Sequence, residues 1–231
     1  MIFEQGHLYH IYNQGNNKQQ IFFKRENYLF FLQKIRKHIL PYADVLAWCL
    51  MPNHFHLLVY VKDTHQITSG SDTHQMTSSH QMSNKQEQPS HQISSQLTKS
   101  IATLLRSYTR AINIQEKRTG SLFKPHTKAQ CLTKAESITP SYFNSPYGTY
   151  LNISIPEREY PKLCFDYIHN NPVKANLVKH AEDWDFSSCK DYFGLRTGKL
   201  INRERAIEYA LFKESKIYSS DDFKIQPILE K

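Results

Sequence analysis

The sequence predicts an α+β protein, with a ferredoxin-like antiparallel sheet and helices packed on it. Three observations support this class. Residues 7–14 (HLYHIYNQ) alternate as a strand does, and residues 25–40 carry apolar side chains at the three- and four-residue spacing of an amphipathic helix. Residues 43–52 and 54–62 are two apolar runs around a short turn. A chain with the order strand, helix, hairpin and helix folds most simply into a ferredoxin-like domain with its helices on one face of the sheet.

The remaining elements follow from turn chemistry and periodicity. Pro52 has no backbone N–H to donate, so it is expected in a tight turn between the two strands of the hairpin. Helical periodicity resumes at 96–118 and again at 157–178. Residues 131–156 have no clear period and are expected to be irregular, whereas the charged segment RERAIEYALFKE near the C-terminus is expected to be helical.

One segment has a composition unlike the rest of the chain. Residues 63–96 repeat a [T/S]HQ[I/M] unit and are rich in Ser, Thr and Gln but poor in large apolar groups. Such a segment cannot bury enough surface to offset its ordering entropy, so it is predicted to be a flexible insertion. We therefore expect one domain over 1–195, interrupted at 63–96, and a charged tail over 196–231.

The charge balance favours an anionic partner. The chain has 29 Lys and Arg against 21 Asp and Glu, a formal net charge of +8. This excess indicates nucleic acid before anionic membrane surfaces. Part of this positive charge lies on the predicted helix at 96–118. Four of its cations are expected either to contact a phosphate backbone or to form a solvated face: Arg106, Arg110, Lys117 and Arg118.

The sequence shows no pattern typical of secretion, membrane insertion or nucleotide binding. The chain opens without the pattern of a signal peptide, and no stretch approaches the roughly 18–20 apolar residues of a membrane helix. Its four cysteines are far apart and form no CxxC pair, which favours reduced thiols in a cytoplasmic protein. No GxxxxGK loop is present, so a nucleotide cofactor is not expected.

The stretch MPNHFHLLVYV places His54 and His56 one residue apart at the start of a predicted strand. Residues i and i+2 of a strand share a face and lie roughly 6.5–7 Å apart, so both imidazoles can converge on one ligand while Phe55 faces the core. This pattern fits two ligands of a metal site. The alternative is a pair of structural histidines.

The segment DYIHNNPVK supplies groups that complete such a site. On a helix, Tyr167 and Asn171 are neighbours at i and i+4, and Lys174 at i+7 shares their face if the helix continues through Pro172. Two imidazoles and an amide oxygen then surround a divalent cation, Mg²⁺ or Mn²⁺. The metal polarises a phosphodiester, Lys174 stabilises phenolate or phosphate charge, and the phenol attacks to give a covalent phosphotyrosine.

Other interpretations of these residues remain open. Tyr108 is a rival nucleophile, although Ile112, four residues later, is not a ligand type. A non-catalytic nucleic-acid-binding module on the same sheet would keep the basic face and need no Tyr167. A metal-dependent phosphodiesterase that uses water would keep the histidines and survive Tyr167→Phe.

At these residues the chain resembles the REP-associated tyrosine transposases, which belong to the HUH single-strand endonucleases. The blocks YHIYNQGNNKQQIF, HFH, LLRSYTRAIN with RTGSLF, and YIHNNPVK occur in family order, within residues 5–62 and 97–194. The resemblance implies a ferredoxin-like domain that nicks single-stranded DNA beside a hairpin through a 5′-phosphotyrosine, using Mg²⁺ or Mn²⁺.

The resemblance also assigns roles to residues. His54 and His56 match its metal pair, Tyr167 its nucleophile and Asn171 its third ligand; a homodimer is a further expectation. The chain departs from the family at the insertion and at 136–156.

Overall fold

The computed structural model describes residues 1–63, 89–134, 142–145, 148–151 and 159–212. Its centre is a four-stranded antiparallel sheet formed by β1 (Leu8–Gln14), β2 (Ala43–Met51), β3 (His54–Val61) and β4 (Lys128–Cys131). The strands lie in the spatial order β2-β3-β1-β4. Helix α1 (Arg25–His38) joins β1 to β2, and α2 (Pro89–Gln115) lies between β3 and β4 in the chain. This arrangement is ferredoxin-like, which confirms the predicted fold class.

The two faces of the sheet bury different side chains because neighbours along a strand point in opposite directions. One face packs Ile11 and Phe55 against α1 and α2. The other face packs Leu8 and Leu58 against α3 (Tyr160–Lys174), whose Phe165 is fully buried there. Helices therefore cover both faces, and the expectation of helices on one face only was wrong. The second layer exists because α3 has its own apolar stripe, which must also be buried.

The C-terminal part of the described chain covers the β2 edge of the sheet. The amide of Leu50 donates to the carbonyl of Phe186 at 2.8 Å, and the amide of Asn202 donates to the carbonyl of Val45 at 2.8 Å. Two short helices follow this path, α4 (Cys189–Tyr192) and α5 (Arg203–Glu208). Phe212 is buried as well, so residues just beyond the boundary predicted at 195 pack on the sheet. The boundary itself remains a prediction.

Three elements begin where the sequence predicts none. Helix α2 starts at Pro89, inside the predicted insertion, because Ile93 is buried in the core and the Ser94 hydroxyl accepts a hydrogen bond from the Phe3 amide at 2.8 Å. Most of the predicted insertion, residues 64–88, lies outside the described residues. The segment expected to be irregular contains the end of β4 and a hairpin of β5 (Tyr142–Ser145) and β6 (Gly148–Leu151).

Two further findings concern the whole described chain. No helix in the described ranges is long and apolar enough to cross a membrane. All four cysteines lie in those ranges and none forms a disulfide, as their spacing predicts.

Candidate functional site

The histidine pair lies on the sheet face that α3 covers. β3 begins at His54, directly after the Pro52–Asn53 turn, so the alternation of the strand places His54 and His56 on one face and Phe55 on the other. The two imidazole ring centroids are 5.0 Å apart, and their planes are nearly perpendicular at 84°. Phe55 packs in the opposite core, as its position in the strand predicts.

Helix α3 brings the predicted partners to this pair. Asn171 Oδ1 lies 3.3 Å from His54 Nε2, across 117 residues of sequence. The ring of Tyr167 meets that of His56 edge to face, with centroids 5.4 Å apart. Because the helix continues through Pro172, Lys174 is on the same face, with its Nζ 5.9 Å from the centroid of the Tyr167 ring. The structure thus brings all five predicted site residues together.

The hydrogen bonds of His54 indicate which nitrogen carries its proton. Nδ1 lies 2.6 Å from Asn53 Oδ1, an oxygen that can only accept, so Nδ1 is the N–H and Nε2 carries a lone pair. That lone pair faces the Asn171 oxygen. Two acceptors at 3.3 Å repel each other unless a cation lies between them or the amide turns to present Nδ2. Asn171 Nδ2 is buried and has no hydrogen-bond partner among the described residues.

His10, for which the sequence predicts no role in the site, completes the histidine cluster. Its Nε2 lies 2.9 Å from Nδ1 of His56, and both side chains are buried. A bond between two ring nitrogens contains one proton, so one ring donates and the other accepts. When His56 donates through Nδ1, its Nε2 keeps a lone pair; that atom is buried and unpartnered within the described chain. Metal-ligating histidines commonly have such an outer partner.

Burial keeps these imidazoles neutral. It lowers the pKa of His10 to about 4 and holds the pKa of His56 well below its usual value, with His10 and His54 adding repulsion in the second case. Burial also lowers the pKa of His54, although the contact with Asn171 partly opposes this. Only the neutral imidazole has a lone pair for a metal, so at neutral pH the site is in the form that can bind one.

The ligand set fits a divalent transition metal. His54 Nε2 and the Asn171 oxygen lie 3.3 Å apart, and His56 lines the same cavity as His54, so these three residues could hold one cation. No group of three or more His, Cys, Asp or Glu side chains is arranged for a metal within the described ranges. Imidazole ligands suit Mn²⁺ better than Mg²⁺, which prefers oxygen. Because two imidazoles and an amide oxygen carry no charge, a cation bound by them would keep its positive charge for interaction with phosphate.

Two adjoining cavities surround the site. The first, about 320 Å³, lies between the histidine pair, Tyr167, Tyr12 and Lys128. The second, about 890 Å³, lies beside α2 and is lined by the four cations predicted to contact DNA, namely Arg106, Arg110, Lys117 and Arg118. Asn13, Lys124 and His126 line both cavities, so the two are neighbours that share these residues.

The rival nucleophile Tyr108 lies in the hydrophobic core and not in the cavity of the histidine pair. It is fully buried between α2 and the sheet, and its hydroxyl donates to the Ile21 carbonyl at 2.8 Å. Burial raises the pKa of this phenol above its ordinary value. Tyr108 therefore serves packing, whereas Tyr12, which shares the first cavity with Tyr167, is the second phenol at the site.

Comparisons with known proteins give a limited result. No family model matches the chain, and no curated protein is significantly similar to it. Among solved structures, a REP-associated tyrosine transposase bound to a REP hairpin is similar over 95% of this chain and 91% of that one, at 15% identity and a TM-score of 0.42. At this identity and TM-score the likeness assigns neither a family nor a role to the chain.

Proposed function

We propose that this chain is a metal-dependent endonuclease and strand transferase for single-stranded DNA, with Tyr167 as its nucleophile. One observation carries the proposal: a phenol and two neutral imidazoles line one cavity, and the amide oxygen of Asn171 contacts His54 at 3.3 Å from 117 residues away in the sequence. Packing alone does not explain why these polar side chains are buried together, since His56 Nε2 and Asn171 Nδ2 have no hydrogen-bond partners in the described chain.

The reaction follows from the groups present. The Tyr167 phenol gives its proton to solvent and its oxygen attacks the phosphorus of a phosphodiester. The bond from phosphorus to the 3′ oxygen breaks, and that oxygen takes up a proton. The product is a 5′-phosphotyrosine, which conserves one phosphodiester bond and lets another 3′-hydroxyl attack in the reverse sense to join strands.

Each residue of the site has a separate part in this reaction. His54, His56 and Asn171 would hold a divalent metal, whose positive charge would stabilise the phosphate and the leaving 3′ oxygen. The Lys174 ammonium, 5.9 Å from the ring centroid of Tyr167, stabilises negative charge that develops on the phenol or phosphate. His10 holds His56 in one orientation.

The substrate class rests on charge and on the size of the site. The cations of the second cavity suit a polyanion, and a first cavity of about 320 Å³ accommodates a nucleotide unit rather than a duplex. The choice of DNA over RNA and the preference for hairpins come from the sequence resemblance alone. Binding should weaken steeply with salt because each phosphate contact releases counterions.

Cleavage of an end-labelled single-stranded hairpin oligonucleotide in Mn²⁺ tests the proposal. We expect wild-type protein to cut it, and His54→Ala, His56→Ala or added chelator to abolish cutting. His180→Ala is the matched control, because His180 is an exposed histidine that does not line the cavity. Full cutting by either site variant would contradict the metal site, and binding without cutting by the wild type would indicate a non-catalytic module.

A further inference from the structure

One wall of the first cavity is not used by the proposed chemistry. It consists of Tyr12 on β1, Lys128 on β4 and Lys124 in the segment before β4, here called the β1–β4 wall. Tyr12 is paired with His56 on one side and with Lys128 on the other. Because directly opposed residues of antiparallel strands share a face, the three side chains form a row across the sheet. Tyr12 therefore stands between the histidine pair and a cation.

The ring of Tyr12 is held in place but remains accessible. Its centroid lies 4.7 Å from that of His10 at an interplanar angle of 30°, and 5.8 Å from that of His56 at 34°. These tilted ring contacts hold the ring against the two imidazoles, while the half-buried side chain still lines the cavity. A fixed aromatic ring beside a phosphate-binding site is a surface on which a nucleobase stacks.

The wall also connects the two cavities with positive charge. Lys124 and Lys128 are exposed, and Lys124 Nζ donates to Gln14 Oε1 at 2.8 Å, which directs its ammonium along the first cavity. Lys124 also lines the second cavity, where the four cations of the α2 region are found. Among the described residues, neither cavity is lined by a carboxylate, although the chain has 21 Asp and Glu. The linings of the two neighbouring cavities thus favour a polyanion.

We propose that the β1–β4 wall binds the nucleotide next to the scissile phosphate of a single strand. Its base stacks on Tyr12, its backbone phosphates contact Lys124 and Lys128, and the strand continues past Lys124 into the second cavity. This inference rests on the proposed function, because it takes the phosphate at the histidine pair as the reacting one. It requires an unpaired base at that position, since a base within a duplex cannot turn its face to Tyr12.

The test measures binding separately from cleavage. A labelled hairpin oligonucleotide with single-stranded flanks is titrated with full-length protein in chelator over a series of salt concentrations. We expect Tyr12→Phe to bind as the wild type does, because the ring is kept. Tyr12→Ala and Tyr12→Leu should bind at least about tenfold more weakly, because the stacking surface is removed. The leucine variant keeps an apolar side chain, and thermal melting checks that each variant is folded.

The lysines are tested by the salt dependence of binding. Lys124→Ala with Lys128→Ala should lower the slope of log affinity against log salt by about 0.7 for each phosphate that the variant no longer neutralises. The control is Lys37→Ala with Lys199→Ala, which removes the same charge from exposed lysines outside both cavities. Wild-type binding by folded Tyr12→Leu, weak binding by Tyr12→Phe, or an equal slope change in the control would each overturn the inference.

Cleavage data separate this inference from the proposed function. If the expected binding pattern appears but wild-type protein cuts nothing in Mn²⁺, the proposed nuclease reaction fails and the wall remains a nucleic-acid-binding surface. If the wild type cuts and the Tyr12 variants bind normally, nucleotide binding by the β1–β4 wall is contradicted and the proposed function is not.

Discussion

Replacing His10 with leucine should weaken metal binding without removing a metal ligand. The 2.9 Å contact between His10 Nε2 and His56 Nδ1 is buried, so the change leaves the Nδ1 hydrogen of His56 without an acceptor. A buried donor left unpaired costs about 1–3 kcal/mol of folding free energy. Without that acceptor nothing favours the proton of His56 on Nδ1 over Nε2, and a proton on Nε2 removes the lone pair from the metal side. Loss of an outer partner typically reduces metal affinity by about 10–100-fold, and we expect a reduction in this range.

The assay for this prediction combines Mn²⁺ titration with the ¹⁵N spectrum of the ring nitrogens in metal-free protein. His10→Gln keeps an acceptor and should recover most of the affinity, with the His56 proton on Nδ1. His180→Leu makes the same change at an exposed histidine and should bind Mn²⁺ as the wild type does. Wild-type affinity and an unchanged His56 tautomer in folded His10→Leu would refute the reasoning.

Two further predictions concern stability and the insertion. Burial lowers the pKa of His169 to about 3, against about 6.5 in an unfolded chain, and its Nε2 lies 2.7 Å from Ser188 Oγ. Below pH 6.5 the unfolded state binds the proton first, so this group should lower the free energy of unfolding by up to about 1.4 kcal/mol per pH unit. Urea denaturation at pH 7 and pH 5 should show a smaller loss for His169→Gln, and equal losses would contradict the assignment. Deleting residues 66–86 should preserve cleavage and the melting temperature. Deleting residues 66–94 should lower the melting temperature, because this deletion also removes the start of α2 with the buried Ile93. Equal melting temperatures for the two deletions would count against that packing role.

The sequence predicts best those elements whose own side chains are buried in a regular pattern. Phe31 and Ile35 of α1 are fully buried, and both strands of the hairpin end at the turn that Pro52 indicates. By contrast, β4 (KAQC) buries only Cys131 and is held by backbone pairing with β1. Backbone pairing at a sheet edge leaves little pattern in the side chains, so this strand was missed.

The same distinction applies to the site. The pairs His54 with His56 and Tyr167 with Asn171 are local spacings, and each follows from the geometry of one strand or one helix. Their convergence depends on how α3 packs on the sheet, which no local spacing determines. Tyr12 enters the site only through its register opposite His56, across strands far apart in the sequence. His10 is likewise found only once β1 and β3 are paired.

Trapping the covalent intermediate and locating it tests the proposed reaction most directly. Wild-type protein is incubated with labelled single-stranded hairpin DNA and Mn²⁺, denatured in detergent, and the protein–DNA adduct is mapped by peptide mass. We expect a 5′-phosphotyrosine on Tyr167 that disappears in Tyr167→Phe, while that variant still binds Mn²⁺ and DNA. An adduct on Tyr12 would support the reaction class but contradict Tyr167 as the nucleophile. Cleavage by both proteins with no adduct would contradict a tyrosine nucleophile and indicate attack by water.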